Sequence, residues 1–68
     1  MDWERIVAGN IKRLRLERGL SQETLAHDAG IAMRHLGRIE RGQGNPTVAV
    51  LGRLAGVLGV HPRDLYDA

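Results

Sequence analysis

No cysteine occurs among the 68 residues, which excludes a disulfide framework and a thiolate metal site, two of the usual aids to a small fold. There is no run of about 18 uncharged apolar residues, so no membrane-spanning segment is expected. Nor does any stretch show the period-two alternation of a strand. The opening residues Met1-Asp2-Trp3-Glu4 lack the positive charge that begins a signal peptide. The expectation is a chain that stays in a reducing, cytoplasmic compartment. A chain this short buries only about 60% of its unfolded surface, which leaves little room for a deep, dry pocket. Apolar residues make up 43% of it, enough for one modest core and one domain over residues 1–68. Packed helices or association must supply the stability.

Charge is modest in total and uneven in place. The net charge is +2, and the pI of 9.9 overstates it, because few groups titrate between the carboxylates and the strong bases. Lys12, Arg13, Arg15 and Arg18 face one nearby acid, Glu17, and Arg34, Arg38, Arg41 and Arg53 face only Glu40. Between these two segments lie only the acids Glu23 and Asp28. Clustering of this kind suits a localised anionic partner surface.

What is present is helical periodicity. Trp3, Val7, Ile11 and Leu14 mark one apolar face over residues 3–18, with Asp2 as N-cap and Gly19 as stop. Ser21 caps a second helix with Leu25, Ala26 and Ala29 inward, ending at Gly30. A third runs from about Ala32 to Arg41, with Leu36 and Ile39 inward and Gly42 just past its end. The segment Gly42-Gln43-Gly44-Asn45-Pro46 is turn chemistry. Thr47 caps a fourth helix through Leu58, and His61-Pro62 opens a short fifth. The fold class expected is all-α, with five helices.

Several chemistries find no support. His27, His35 and His61 are scattered, with no carboxylate at a ligand-like spacing, so no metal is expected. Gly42-Gln43-Gly44 follows no strand and lacks a third glycine, so it is no phosphate-binding fingerprint. Ser21 has a capping role and no positioned base. The expectation is no enzyme, no cofactor and no small-molecule ligand.

From Gln22 to Arg41 the pattern is helix, turn of about three residues, helix. Ala26 stands where the two helices must approach closely and Gly30 where the turn wants a positive φ. Taken alone, these small and apolar positions fit any helical hairpin in a small bundle equally well. On the third helix, Met33, Arg34, Gly37 and Arg38 fall at i, i+1, i+4 and i+5, opposite Leu36 and Ile39. An arginine can donate twice to O6 and N7 of guanine, and a methionine can lie against a thymine methyl; a solvated helix face is the other reading.

Six motifs stand in order: Ile11-Lys12-Arg13-Leu14-Arg15, Gly19-Leu20-Ser21-Gln22-Glu23-Thr24-Leu25-Ala26, Gly30-Ile31, Arg38-Ile39-Glu40-Arg41-Gly42, Asn45-Pro46-Thr47, and Leu54-Ala55 with Leu58-Gly59-Val60. With them, residues 5–66 resemble the helix-turn-helix domains of the Cro/C1 type, the XRE family of phage repressors, restriction-modification controller proteins and small bacterial regulators. The resemblance implies a compact, lambda-repressor-like fold, a bacterial or phage origin at the nucleoid, and double-stranded operator DNA bound by a homodimer. It also matches Met33, Arg34, Gly37 and Arg38 to the base-reading face. Gly37 departs from the usual side-chain-bearing residue, and is either an allowance for close approach to DNA or a weak spot costing about 1 kcal/mol of helix propensity.

The resemblance makes Gln22 a phosphate clamp at the start of the second helix, where free N–H groups also favour an anion. Ser21, His35, Arg41, Gln43 and Asn45 are further expected backbone contacts, which position rather than specify; ordinary loop and cap roles remain open for Gln43 and Asn45. The family's arginine and glutamate that pair across two helices match Arg15 and Glu40. In the last third, Val50, Val57, Val60, Leu65 and Tyr66 exceed what one core absorbs. In related domains this region makes the dimer contact, and Val57, Val60, Leu65 and Tyr66 are the expected interface. Gly52 and Gly56 either permit close helix approach there or are weak surface choices. A reading of another class is an antitoxin-like module whose main partner is a protein, with DNA secondary; a third is a plain structural bundle.

Overall fold

In the computed structural model, which describes residues 2–68, the chain forms four α-helices and a terminal 3-10 helix: α1 Trp3–Glu17, α2 Gln22–Ala29, α3 Met33–Glu40, α4 Val48–Leu58 and the 3-10 helix Pro62–Tyr66. No strand occurs among the described residues. The helix starts follow from local chemistry. Side chains of Asp2, Ser21 and Thr47 accept from the backbone N–H of Arg5, Thr24 and Val50, at 3.2, 3.0 and 3.1 Å, each satisfying a donor that has no partner inside its helix. α3 begins at Ala32 without such a bond.

Gly30 ends α2 with φ +72°, a conformation only glycine adopts cheaply. The chain then reverses at once, and the Ile31 N–H reaches back to the Ala26 carbonyl at 2.9 Å. Gly42 does the same after α3, with φ +74° and the Gln43 N–H donating to the Arg38 carbonyl at 2.9 Å. Both are Schellman-type ends that let the next segment fold back on the helix.

The core gathers one face of each helix. Val7, Ile11 and Leu14 of α1, Leu25, Ala26 and Ala29 of α2, Leu36 and Ile39 of α3, and Val50, Leu51, Leu54, Ala55 and Leu58 of α4 are buried together. Each fully buried leucine or isoleucine contributes about 1.5–3 kcal/mol relative to exposure. α2 packs on α3 and α4, while α1 packs on α3 and the 3-10 helix. Ala26 is the small residue that admits this close packing of α2.

Three expectations change. The fifth helix is a 3-10 segment: Pro62 opens it, His61 and Asp64 form a reciprocal cap, and Asn10 of α1 takes the carbonyls of Leu65 and Asp67, each at 2.9 Å. Five residues whose final carbonyls bond sideways have no length left for an α-helical ladder. Leu65 is fully buried and Val50 nearly so. Both belong to the core of this chain and not to a second surface, because the 3-10 helix tucks back against α1 and α4. Trp3, by contrast, stands outside the core: its ring meets Tyr66 edge-on, with centroids 5.9 Å apart, and both are about half exposed. It lies in the first turn of α1, against the 3-10 helix rather than in the core.

Candidate nucleic-acid interface

α3 divides its residues sharply. Leu36 and Ile39 enter the core, whereas Met33, Arg34 and Arg38 are exposed. Met33 is 51% exposed, an unbranched apolar chain held in water at the first position of the helix. Among the described residues neither Arg34 nor Arg38 forms an ion pair. Two unpaired guanidiniums therefore stand beside an exposed methionine on one short helix.

Gly37 does not join that open face. It is buried, and Nη1 of Arg41 lies 3.3 Å from the point where a side-chain Cβ at position 37 would sit. The missing side chain makes room for Arg41, which folds back along α3 and donates from Nε to Gln43 Oε1 at 3.4 Å. This corrects the expectation that Gly37 sits open on the base-reading face. His35 is half-buried; Gln43 and Asn45 are exposed in the loop between α3 and α4.

At the other end of the hairpin, Ser21 is exposed but engaged: besides its capping bond, its hydroxyl donates to Thr24 Oγ1 at 3.0 Å. Gln22, the first residue of α2, is half-buried, and its Nε2 donates to Glu40 Oε1 at 3.0 Å. Glu40 closes α3 and is held in turn by Arg15 of α1. Nε of Arg15 donates to Oε2 at 2.7 Å and Nη2 to Oε1 at 3.0 Å, while Nη1 donates to the Leu20 carbonyl at 2.9 Å. The two charged side chains are 10% and 3% exposed. This is a bidentate, charge-assisted pair that joins α1, the α1–α2 connection and the end of α3.

Two features carried no sequence signal. Arg5 is exposed in α1, and its Cγ lies 3.5 Å from where a Gly42 side chain would begin, so the stem of this side chain lies against the loop after α3 while its Nε stands 3.7 Å from Asp2. Beside that loop opens a cleft of about 250 Å³ lined by Trp3, Val7, Ile39, Pro46, Leu51 and Tyr66, among others. Both join the two ends of the chain to its middle, which no local pattern reveals. Of the expected dimer residues, Val57 and Val60 are half-buried against the core and Tyr66 remains partly exposed. Among the described residues no three His, Cys, Asp or Glu side chains come together, and no helix is long and apolar enough to cross a membrane.

Comparison with known proteins agrees with this architecture. A helix-turn-helix family model matches residues 11–65. An uncharacterised HTH-type transcriptional regulator of Sinorhizobium fredii, y4dJ, is 45% identical over 60 residues, covering 88% of this chain and 78% of that protein. The restriction-modification controller protein C.AhdI of Aeromonas hydrophila superimposes with a TM-score of 0.89 at 36% identity, covering 93% of this chain and 96% of that one. A crystal structure of SinR, a master regulator for biofilm formation, in complex with DNA superimposes with a TM-score of 0.85 at 39% identity, covering 90% and 98% of the two chains. Several other curated relatives are longer, and this chain spans between 32% and 57% of their length.

Proposed function

Because the chain belongs to the helix-turn-helix family of the Cro/C1 type, we propose that it is a sequence-specific DNA-binding transcriptional regulator that places α3 in the major groove. The observation that carries this reading is the face of α3, where Met33, Arg34 and Arg38 are exposed and the two arginines have no ion-pair partner in the described structure. Arg34 and Arg38 suit guanine edges, and Met33 a thymine methyl. Gln22 at the start of α2, with Arg41, Gln43 and Asn45 after α3, brackets that face with backbone contacts that set its register. Ser21 acts through its cap, and half-buried His35 lies at the rim.

The protein acts as a homodimer on a two-fold operator, with recognition helices about 34 Å apart, one turn of DNA. The outward side of α4 supports this reading. Val48 is 86% exposed, Gly52 and Gly56 have no neighbour within 4 Å of an added Cβ, and Arg53 is the only charged residue on that helix. The proposed contact also takes in half-buried Val57 and Val60 and the partly exposed Tyr66. No catalytic step and no cofactor belong to this function. Selection of bound sites from random duplexes tests the reading: an enriched half-site repeated about one helical turn away is expected. Enrichment of no sequence, with weak binding to every duplex, would rule out sequence-specific regulation.

A further inference from the structure

We infer that Glu40 is a positioning residue for the phosphate contact of Gln22, and that Arg15 makes this possible by cancelling the carboxylate's charge. The inference rests on the reading that Gln22 meets a DNA phosphate. A glutamine at the first position of a helix ordinarily turns freely and presents either end of its amide. Here Nε2 donates to Glu40 Oε1 at 3.0 Å. An ionised carboxylate only accepts, so the NH2 end must face Glu40. The second N–H of the same nitrogen is thereby turned about 120° from the first. It is left to donate beside the free backbone N–H groups at the start of α2. The amide is set as a donor before any DNA arrives.

Glu40 can hold this position because it is itself held. Its side chain is 3% exposed, and Arg15 grips both oxygens, at 2.7 and 3.0 Å. Arg15 is anchored by the Leu20 carbonyl at 2.9 Å, one residue before the Ser21 cap of α2. The chain of bonds therefore closes on the helix start that it orients.

The charge balance follows from the same geometry. Two acceptors sharing one amide nitrogen, each near 3 Å from it, are about 5 Å apart. A bare carboxylate that close would repel the phosphate that Gln22 is to receive. With Arg15 bonded across both oxygens the pair is neutral, and only the orienting effect remains. Arg15 thus acts on DNA binding without touching DNA.

The test uses a duplex recovered by site selection and a series of the same duplex in which single phosphates are replaced by neutral methylphosphonates. The Gln22 phosphate is the one whose replacement weakens the unmodified protein but not Gln22→Ala. The variant is Arg15→Met with Glu40→Leu, which removes both buried charges together and so avoids stranding one of them. It is expected to bind the unmodified duplex about three- to tenfold more weakly, the cost of ordering one freed side chain. Its sensitivity at that one phosphate should fall while that at the others is kept, and adding Gln22→Ala should cost less than it does in the unmodified protein. A purely structural role would weaken all positions alike. Undiminished sensitivity at the identified phosphate overturns the positioning role and leaves the Gln22 contact standing. Absence of any such phosphate overturns both. Should the double variant not fold, the order parameter of the Gln22 side-chain amide in the free, unmodified protein decides. A value near that of rigid backbone, about 0.85, is expected, and one below about 0.6 overturns the inference.

Discussion

Arg15 and Arg38 are the same side chain on two helices that pack together, yet their surroundings have little in common. Arg15 is nearly buried and spends three donors, two on Glu40 and one on the Leu20 carbonyl. Arg38, like Arg34, is exposed and has no ion-pair partner among the described residues. The difference is one of desolvation. A guanidinium already stripped of water and paired with a carboxylate has no donor to offer a base, and removing its partner strands a charge in the core. One still hydrated and unpaired contributes almost nothing to the fold and remains available for recognition. Arg41 lies between them: it is exposed, but its tip is folded over Gly37 and its Nε bonds weakly to Gln43.

The largest effect should come from breaking the buried side of this contrast. Glu40→Gln or Arg15→Met alone is expected to destabilise the protein by about 3–5 kcal/mol, because each leaves one buried charge unpaired. At the usual 0.05–0.15 kcal/mol per residue the whole fold holds only roughly 3–10 kcal/mol. The double change should recover part of the loss in urea unfolding. Additive losses below about 1 kcal/mol in that cycle would make the pair a surface contact in energetic terms.

Next in size is Leu65, which contrasts with the apolar residues left outside. Leu65→Ala should cost about 2–5 kcal/mol as a core cavity, measured by thermal unfolding, and the cost should not change with protein concentration. A loss that vanishes on dilution would assign Leu65 to an interface instead. On the exposed side, Arg34→Ala and Arg38→Ala should each lower specific DNA affinity by about 1–3 kcal/mol and relax preference at one base pair. Stability in the same variants should stay within about 0.5 kcal/mol of the unmodified protein. Retained affinity with intact folding would remove both arginines from readout. The smallest change concerns Arg41. Gly37→Ala gains up to about 1 kcal/mol of helix propensity and displaces only the flexible end of Arg41, 3.3 Å away. A slightly raised melting temperature is expected, and a lowered one would show that Arg41 is rigidly seated.

Much of the site was visible in the chain before its fold was known. Arg34 and Arg38 could be placed opposite Leu36 and Ile39 by counting along one helix, and Met33 with them. Gly37 was misplaced by the same counting. A helical wheel gives the direction of a position but not what lies over it, and here a side chain one turn further on, Arg41, covers it. Gln22 was placed at the start of α2, but its bond to Glu40 crosses 18 residues of chain and has no local signal.

The limits of the four α-helices, the caps at Ser21 and Thr47, the left-handed stops at Gly30 and Gly42, and the inward stripes of α1 to α3 all follow from composition and spacing. Each depends on hydrogen bonds and side-chain directions within about one helical turn, so the order of residues is sufficient to set them. The inward turn of Leu65 and Val50, the outward stance of Trp3, and the capture of the last carbonyls by Asn10 depend on which helices become neighbours. That choice is made by packing the whole apolar surface at once, with α1 brought against the end of the chain. Only the assembled fold brings such distant residues into contact, and with them the Arg15–Glu40–Gln22 network.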